Sequence, residues 1–180
     1  MPELETARLR LRHFTPEDLD DLYRIYRDPV VMQYLQPRTL EGTRASLWGH
    51  IRHWDSHGFG MWAVAQKPNR ALIGRCGLAF LDGTPEVELG YVFDKPYWGR
   101  GIATEAALAT LEYGFNTAQL DRIVAIAHPD NLASRRVIEK VGMTYEKEAR
   151  YYETDVVYYA LARSDWNREN IPLKISNNLK

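Results

Sequence analysis

Hydrophobic positions along this chain follow two rhythms. Over residues 7–14, apolar and basic residues alternate: Leu9 and Leu11 fall on one side, and Arg8, Arg10 and Arg12 on the other. That spacing predicts a half-buried strand. The rhythm then lengthens. Thr15 stands where a helix N-cap belongs, Pro16 suits the first helical position and Asp18 can close a capping box. Leu19, Leu22, Tyr23 and Tyr26 share one helical face, and Asp28-Pro29 ends the helix. A second helix is predicted over 40–57, with Leu47, Ile51 and Trp54 on its apolar side and Gly58 as its stop. Three strands follow, over about 60–67, 71–81 and 86–94, separated by the turns "PNR" and "DGTP", as in an antiparallel meander. In the third, Val87, Leu89, Tyr91 and Phe93 share one face, while Glu86, Glu88, Gly90 and Val92 share the other.

The second half alternates strands with helices. A helix runs from "GRGIATEA" to about Asn116, then come a strand, "DRIVAIAH", a helix, "NLASRRVIEKVG", ended by Gly142, and the strands "MTYEKEARYY" and "DVVYYALAR". This order predicts an α+β fold: a mixed, largely antiparallel sheet of about seven strands between helical layers, three layers in all. The expected organisation is one domain over residues 1–180, with its core at about 3–166 and a polar, loosely packed tail.

Charge narrows the function. With 23 basic and 24 acidic residues the net charge is close to zero, which argues against a stable grip on nucleic acid backbone. No apolar run approaches the roughly 20 residues that span a bilayer, and the N-terminus has no apolar signal core. A cytoplasmic protein without a membrane partner is expected. The single cysteine, Cys76, lies in an apolar strand and reads as core rather than nucleophile. His50, His53 and His57 are close in sequence without an acidic or cysteine partner, so a solvated helix face is expected and no metal site.

One turn carries chemistry. "YWGRGIATEA" leads from a strand into a helix. A helix start presents unpaired N–H groups and a partial positive charge, a natural seat for phosphate. Gly99 and Gly101 allow close backbone approach, Ala103 is small, Thr104 adds a hydroxyl and Arg100 a cation. The turn lacks the lysine of a Walker A loop and the third glycine of a dinucleotide fingerprint. On residues alone, two glycines that merely shape the connection remain an equal reading.

The wider pattern resembles the GNAT acetyltransferase superfamily, whose pyrophosphate loop reads Gln/Arg-x-x-Gly-x-Gly/Ala. The segment "WGRGIA", Trp98 to Ala103, fits that loop with Trp98 in place of the usual Gln or Arg. The opening "ETARLRLRHFTPEDLDDL", the late helix "NLASRRVIEKVGM" and the closing "DVVYYALARSDW" are similar to the branch of ribosomal-protein N-terminal alanine and serine acetyltransferases. The resemblance covers about residues 3–166. It implies a GNAT fold and acetyl-CoA as the cofactor, with its pyrophosphate over the N–H groups of Gly99, Arg100, Gly101, Ile102, Ala103 and Thr104. Its pantetheine arm would pair with Tyr91, Val92 and Phe93, where that strand splays from its parallel neighbour, "RIVAIA".

The implied activity is direct acetyl transfer to a primary amine, on a protein N-terminus or a small molecule, in a ternary complex. Many GNAT enzymes use a tyrosine in the late helix as acid, but Ile138 stands at that position here. The resemblance instead offers Ser134 near the thioester sulfur, with Asn131 bonding the pantetheine or a water. Asn131 as a helix cap and Ser134 as a small buried residue are the plain alternatives. Glu88 is the first choice of base, with Glu86 and Glu153 behind it, and a backbone N–H near Val92 is the expected oxyanion donor. Trp54, Phe59, Trp62, Tyr151 and Tyr152 line the cleft or fill the core. Asn131, Ser134, Ile138 and Val141 share one helical face. The competing functions are a noncatalytic acyl-CoA-binding module, kept open by the missing tyrosine, and a nucleotide-phosphate binder. A homodimer is a possible assembly that no motif encodes.

Overall fold

A computed structural model describes residues 2–167. The described chain forms β1 (Leu4–Glu5), β2 (Leu9–Arg12), α1 (Leu19–Tyr26), α2 (Leu40–His57), β3 (Met61–Gln66), β4 (Leu72–Phe80) and β5 (Val87–Phe93). Then come α3 (Ile102–Asn116), β6 (Arg122–Ala127), α4 (Leu132–Lys140), β7 (Thr144–Tyr151) and β8 (Thr154–Ala162). Single 3-10 turns lie at Pro16–Asp18, Lys95–Tyr97 and Arg163–Asp165. The expected elements are present with one addition. The sheet has eight strands, because the two-residue β1 pairs with β2 and is too short to show a period. Most of the expected polar tail, residues 168–180, lies outside the described residues.

The order across the sheet is β1-β2-β3-β4-β5-β6-β8-β7. Every neighbouring pair is antiparallel except β5 with β6. Local chemistry accounts for the starts and stops. The Thr15 N–H donates to Asp18 Oδ2 at 2.8 Å, completing the first cap as the sequence predicts. Thr39 accepts from the Gly42 N–H to begin α2, and Gly58, at φ +71°, ends it in a left-handed turn.

Two cores cover the two faces. On one, α1 and α2 bury Leu22, Ile25, Tyr26 and Leu47 against Met61, Ala63 and Val92. On the other, α3 and α4 pack Leu108, Leu111, Phe115, Ile138 and Val141 against Ile73, Leu89, Phe93 and Ile123. Leu9 and Leu11 are fully buried, as their alternation predicts. Cys76 is also core: burial pushes its thiol up to about 12, and its sulfur lies 3.4 Å from Thr110 Oγ1. Trp54, Phe59 and Trp62 are buried rather than lining a cleft.

The start of α3 is anchored by an acid the sequence reading passed over. Glu105, in its first turn, is 1% exposed. It accepts from the Thr6 hydroxyl at 2.5 Å, from the Arg8 N–H at 2.9 Å and from Arg8 Nε at 2.6 Å. Arg8 Nη1 also donates to the Arg100 carbonyl at 2.8 Å, tying the loop before α3 to the same clamp. A carboxylate in a helix's first turn also suits the positive end of the helix dipole. Arg8→Met leaves Glu105 buried without its cation, so it should cost about 2–3 kcal/mol in urea denaturation.

Candidate active site

The loop from β5 to α3 forms from two residues in the left-handed region. Gly99 has φ +70° and Gly101, the N-cap of α3, has φ +74°. A Cβ on Gly99 would meet nothing within 4 Å, and one on Gly101 only Arg8 Nη2 at 3.5 Å. Backbone conformation, not crowding by the protein, therefore selects glycine here. Among the described residues, the N–H groups from Gly99 to Thr104 have no protein acceptor, whereas the Glu105 N–H already bonds the Gly101 carbonyl. Consecutive free amides at a helix start make a nest for an anion.

Trp98, the departure from the family's loop, has a structural use. Its indole N–H donates to the Phe93 carbonyl at 2.7 Å, bridging the loop to the end of β5.

β5 pairs with β4 from Val87 to Phe93, but with β6 in one register position, Glu88 with Val124. Beyond Glu88 the parallel strands part, as the resemblance implies. The Asp94 N–H donates to the Ile73 carbonyl at 2.9 Å, on the β4 side. Period-two alternation gives Val92 the same direction and turns the backbone of Tyr91 and Phe93 toward the opening. The free donors nearest the expected position are therefore the N–H groups of Tyr91 and Phe93, not that of Val92.

The opening connects the two faces of the sheet. On the α3–α4 face, the Tyr91 hydroxyl lies 2.9 Å from Ser134 Oγ and 3.0 Å from the Ser134 carbonyl. Burial holds the Tyr91 phenol above its usual range. The sequence assigned Tyr91 only a backbone role, and its hydroxyl stands beside the serine in a helix that lacks the family's tyrosine. Ile138, in that tyrosine's place, is buried with Val141, while Asn131 and Ser134 are half-buried toward the cleft. Asn131 caps α4: its Oδ1 accepts from the Ser134 N–H at 3.1 Å, and its amide nitrogen has no partner among the described residues.

Glu88 stands on the α1–α2 face, at the point where β5 and β6 meet. Burial pushes its carboxyl up to about 7, while the charge of Arg75 and a hydrogen bond from Tyr152 pull the other way. The Tyr152 hydroxyl is 3.4 Å from Glu88 Oε2. Tyr152 and Glu153 form the β7–β8 turn with φ of +49° and +59°, and the Tyr152 N–H is held by Asp82 Oδ2 at 2.6 Å. Of the other two acids, Glu86 accepts from Tyr158 at 2.6 Å, and Glu153 sits exposed on that turn.

The histidines correct an expectation in part. His57 is exposed, as a solvated face requires, but His50 and His53 are half-buried. His50 stacks on Phe14 at 5.4 Å and His53 packs on Phe59 at 5.3 Å, because α2 turns that side toward the sheet. Burial, aided by the charges of Arg75 and Arg38, holds His50 well below the usual imidazole range. An open depression lined by Arg24, Arg27, Asp28, Pro29 and Asp94 shares no residue with the glycine loop or Glu88.

This arrangement is that of an acetyltransferase fold, and similarity to known proteins agrees. Residues 8–144 match the acetyltransferase (GNAT) domain family. YkkB of Bacillus subtilis is 34% identical over 161 residues, spanning 87% of this chain and 94% of its own. A GNAT-family acetyltransferase from Bacillus anthracis superposes with a TM-score of 0.77 at 30% identity, over 90% of this chain and 99% of that one. Ribosomal-protein-S5-alanine acetyltransferase from Vibrio fischeri shares the fold, with a TM-score of 0.76 at 22% identity, over 92% of this chain and 98% of its own. The chain belongs to the GNAT acetyltransferase family.

Gly101→Val places a β-branched residue at φ +74°. It should cost about 1–2 kcal/mol in thermal or urea unfolding. It should also weaken acetyl-CoA binding at least tenfold in calorimetry, and undiminished binding would remove the loop from the cofactor site.

Proposed function

We propose that this protein transfers an acetyl group from acetyl-CoA directly to a primary amine in a ternary complex. The observation that carries this reading is the single-point pairing of β5 and β6 beside a helix start whose amides have no acceptor among the described residues. The residues fit the cofactor: a diphosphate suits the free N–H groups from Gly99 to Thr104, and the amides of pantetheine suit the open edge at Tyr91 and Phe93. Bound acetyl-CoA supplies the thioester carbonyl that is attacked.

Glu88, with its carboxyl near 7, takes one proton from the ammonium, directly or through a water. The freed nitrogen attacks the carbonyl carbon, and the Tyr91 or Phe93 N–H offers a hydrogen bond to the oxygen as it gains charge. The carbon–sulfur bond then breaks with its electron pair on sulfur, and the proton that nitrogen loses on becoming an amide ends on the thiol. Neither Ser134 nor Tyr91 is acidic enough to protonate a thiolate outright, since burial raises the phenol further. The pair offers hydrogen bonds instead. When Tyr91 donates to Ser134 Oγ, the serine proton is free to point at the sulfur. This gives a GNAT site without the late-helix tyrosine a way to stabilise the leaving group. The acceptor side opens on the α1–α2 face, where protein N-termini and small amines are both candidate substrates. The branch of ribosomal-protein acetyltransferases is supported by the opening, late-helix and closing segments together. A cytoplasmic setting fits a free cysteine and a cytoplasmic supply of acetyl-CoA.

Calorimetric titration of the purified protein with acetyl-CoA, using ATP as control, tests the cofactor. Saturable binding of acetyl-CoA alone is expected, and its absence from folded protein would move the reading to a nucleotide-phosphate binder or to no cofactor. Glu88 makes a separate prediction. An ionised base is needed, so kcat/KM should rise with pH through about 7. In Glu88→Gln this rise should vanish, leaving only the ionisation of the amine, with the largest loss of rate above pH 7. The folded carboxyl lies above its unfolded value, so its ionised form opposes folding above pH 7. The neutral variant should therefore melt no lower than wild type at pH 8, which separates lost chemistry from lost fold. An unchanged pH–rate profile would place the base elsewhere.

A further inference from the structure

The acceptor side of the site carries a cation that makes no ion pair among the described residues. Arg75, on β4 opposite Val92, shares the α1–α2 face of the sheet with Glu88 and Gly90. Its Nε donates to the Tyr26 hydroxyl at 2.5 Å, and Nη1 lies 3.3 Å from the Met61 sulfur. Nη2 has no partner, and no carboxylate lies within ion-pair distance of Arg75, among the described residues. Arg8 and Arg12 each hold a buried carboxylate, Glu105 and Asp18. A half-buried guanidinium that spends its bonds on one phenol and one thioether keeps most of its donors for another group.

Its placement against Glu88 is specific. A Cβ on Gly90 would stand 3.6 Å from Arg75 Nη1, so the guanidinium lies beside Gly90, two residues along β5 from Glu88. Two strand residues span about 7 Å. Gly77 faces Gly90 across the strands, and the end of the flexible Met61 side chain lies over Gly90, 3.0 Å from where a Cβ would stand, so no β-carbon rises from these two positions. Arg38 lies 5.2 Å over the same Tyr26 ring and adds positive potential. A cation and a carboxyl two strand residues apart, with a movable thioether side chain over Gly90, complement a small zwitterion.

On the acetyltransferase reading above, we propose that the acceptor is an amino acid: a primary amine with a carboxylate a few bonds away, the amine facing Glu88 and the carboxylate bound by Arg75. A protein N-terminus fits less well, because a neutral peptide carbonyl follows its amine and leaves Arg75 unpaired.

The test measures free thiol released from acetyl-CoA with L-phenylalanine, L-tyrosine and L-histidine, each against the amine lacking its carboxylate (phenethylamine, tyramine, histamine), and with peptides amidated at the C-terminus. The remaining L-amino acids extend the panel. Wild-type protein should prefer at least one amino acid over its decarboxylated partner by about a hundredfold or more in kcat/KM, and over every peptide. Arg75→Met should erase most of that preference through KM, with acetyl-CoA affinity little changed; because Arg75 also pulls the Glu88 carboxyl down, the two proteins are compared well above pH 7, where Glu88 is ionised in both. The ratio within one variant cancels any loss of folded protein. Should Arg75→Met not fold once Tyr26 loses its partner, Arg75→Lys, which keeps the charge but not the forked geometry, should still cut the preference at least tenfold. Acetylation of amines or peptides without preference for the carboxylate would overturn this proposal alone. Binding of acetyl-CoA with transfer to no amine would overturn the acetyltransferase reading and this proposal with it.

Discussion

The structure depends on one backbone constraint: β5 and β6 are joined at a single point. β5 is held along its whole length by β4, and β6 along its whole length by β8. The sheet is thus two antiparallel halves that meet at Glu88 and Val124. Each half satisfies its own ladder, so the strands can part beyond that junction without cost to the rest of the sheet. The parting leaves unpaired backbone on a buried strand, and such groups call for a partner. On the proposed function that partner is the pantetheine arm of acetyl-CoA.

The helices beside the opening do different work. α3 points its start at the opening, and the Arg8–Glu105 clamp fixes that start to the first strands. α4 delivers Ser134 to the Tyr91 hydroxyl. α1 and α2 build the opposite wall, where Tyr26 holds Arg75 and the half-buried His50 is held well below the usual imidazole range. Burial acts with the same sign on the two sides. It raises the Glu88 carboxyl to about 7, which makes it a stronger base, and it raises the Tyr91 phenol, which makes it a weaker acid.

Much of the fold was legible in the residues because local rules dominate there. The alternation around Leu9 and Leu11, the Thr15–Asp18 cap, the stop at Gly58 and the face shared by Ile138 and Val141 each depend on a few neighbouring positions. The glycine turn was legible for the same reason, although its glycines answer to positive φ rather than to crowding by the protein. Less legible were contacts between residues far apart in sequence. Glu105 meets Thr6 and Arg8, Tyr91 meets Ser134, and Arg75 meets Tyr26. A first-turn glutamate and a lone inward arginine carry no period and no motif, so nothing along the chain distinguishes them from surface charges. The histidines of α2 misled for a related reason: spacing alone does not say which side of a weakly amphipathic helix meets the sheet.

The sequence by itself determined the order of elements, the family, and the loop that begins α3, since hydrophobic period, turn residues and glycine conformation act within a few residues. Tertiary structure decided the direction in which each strand offers its backbone, how far burial raises the Glu88 carboxyl, and that Arg75 makes no ion pair among the described residues. Those properties arise from packing across the sheet, where desolvation and charge depend on neighbours that the chain brings together only when folded.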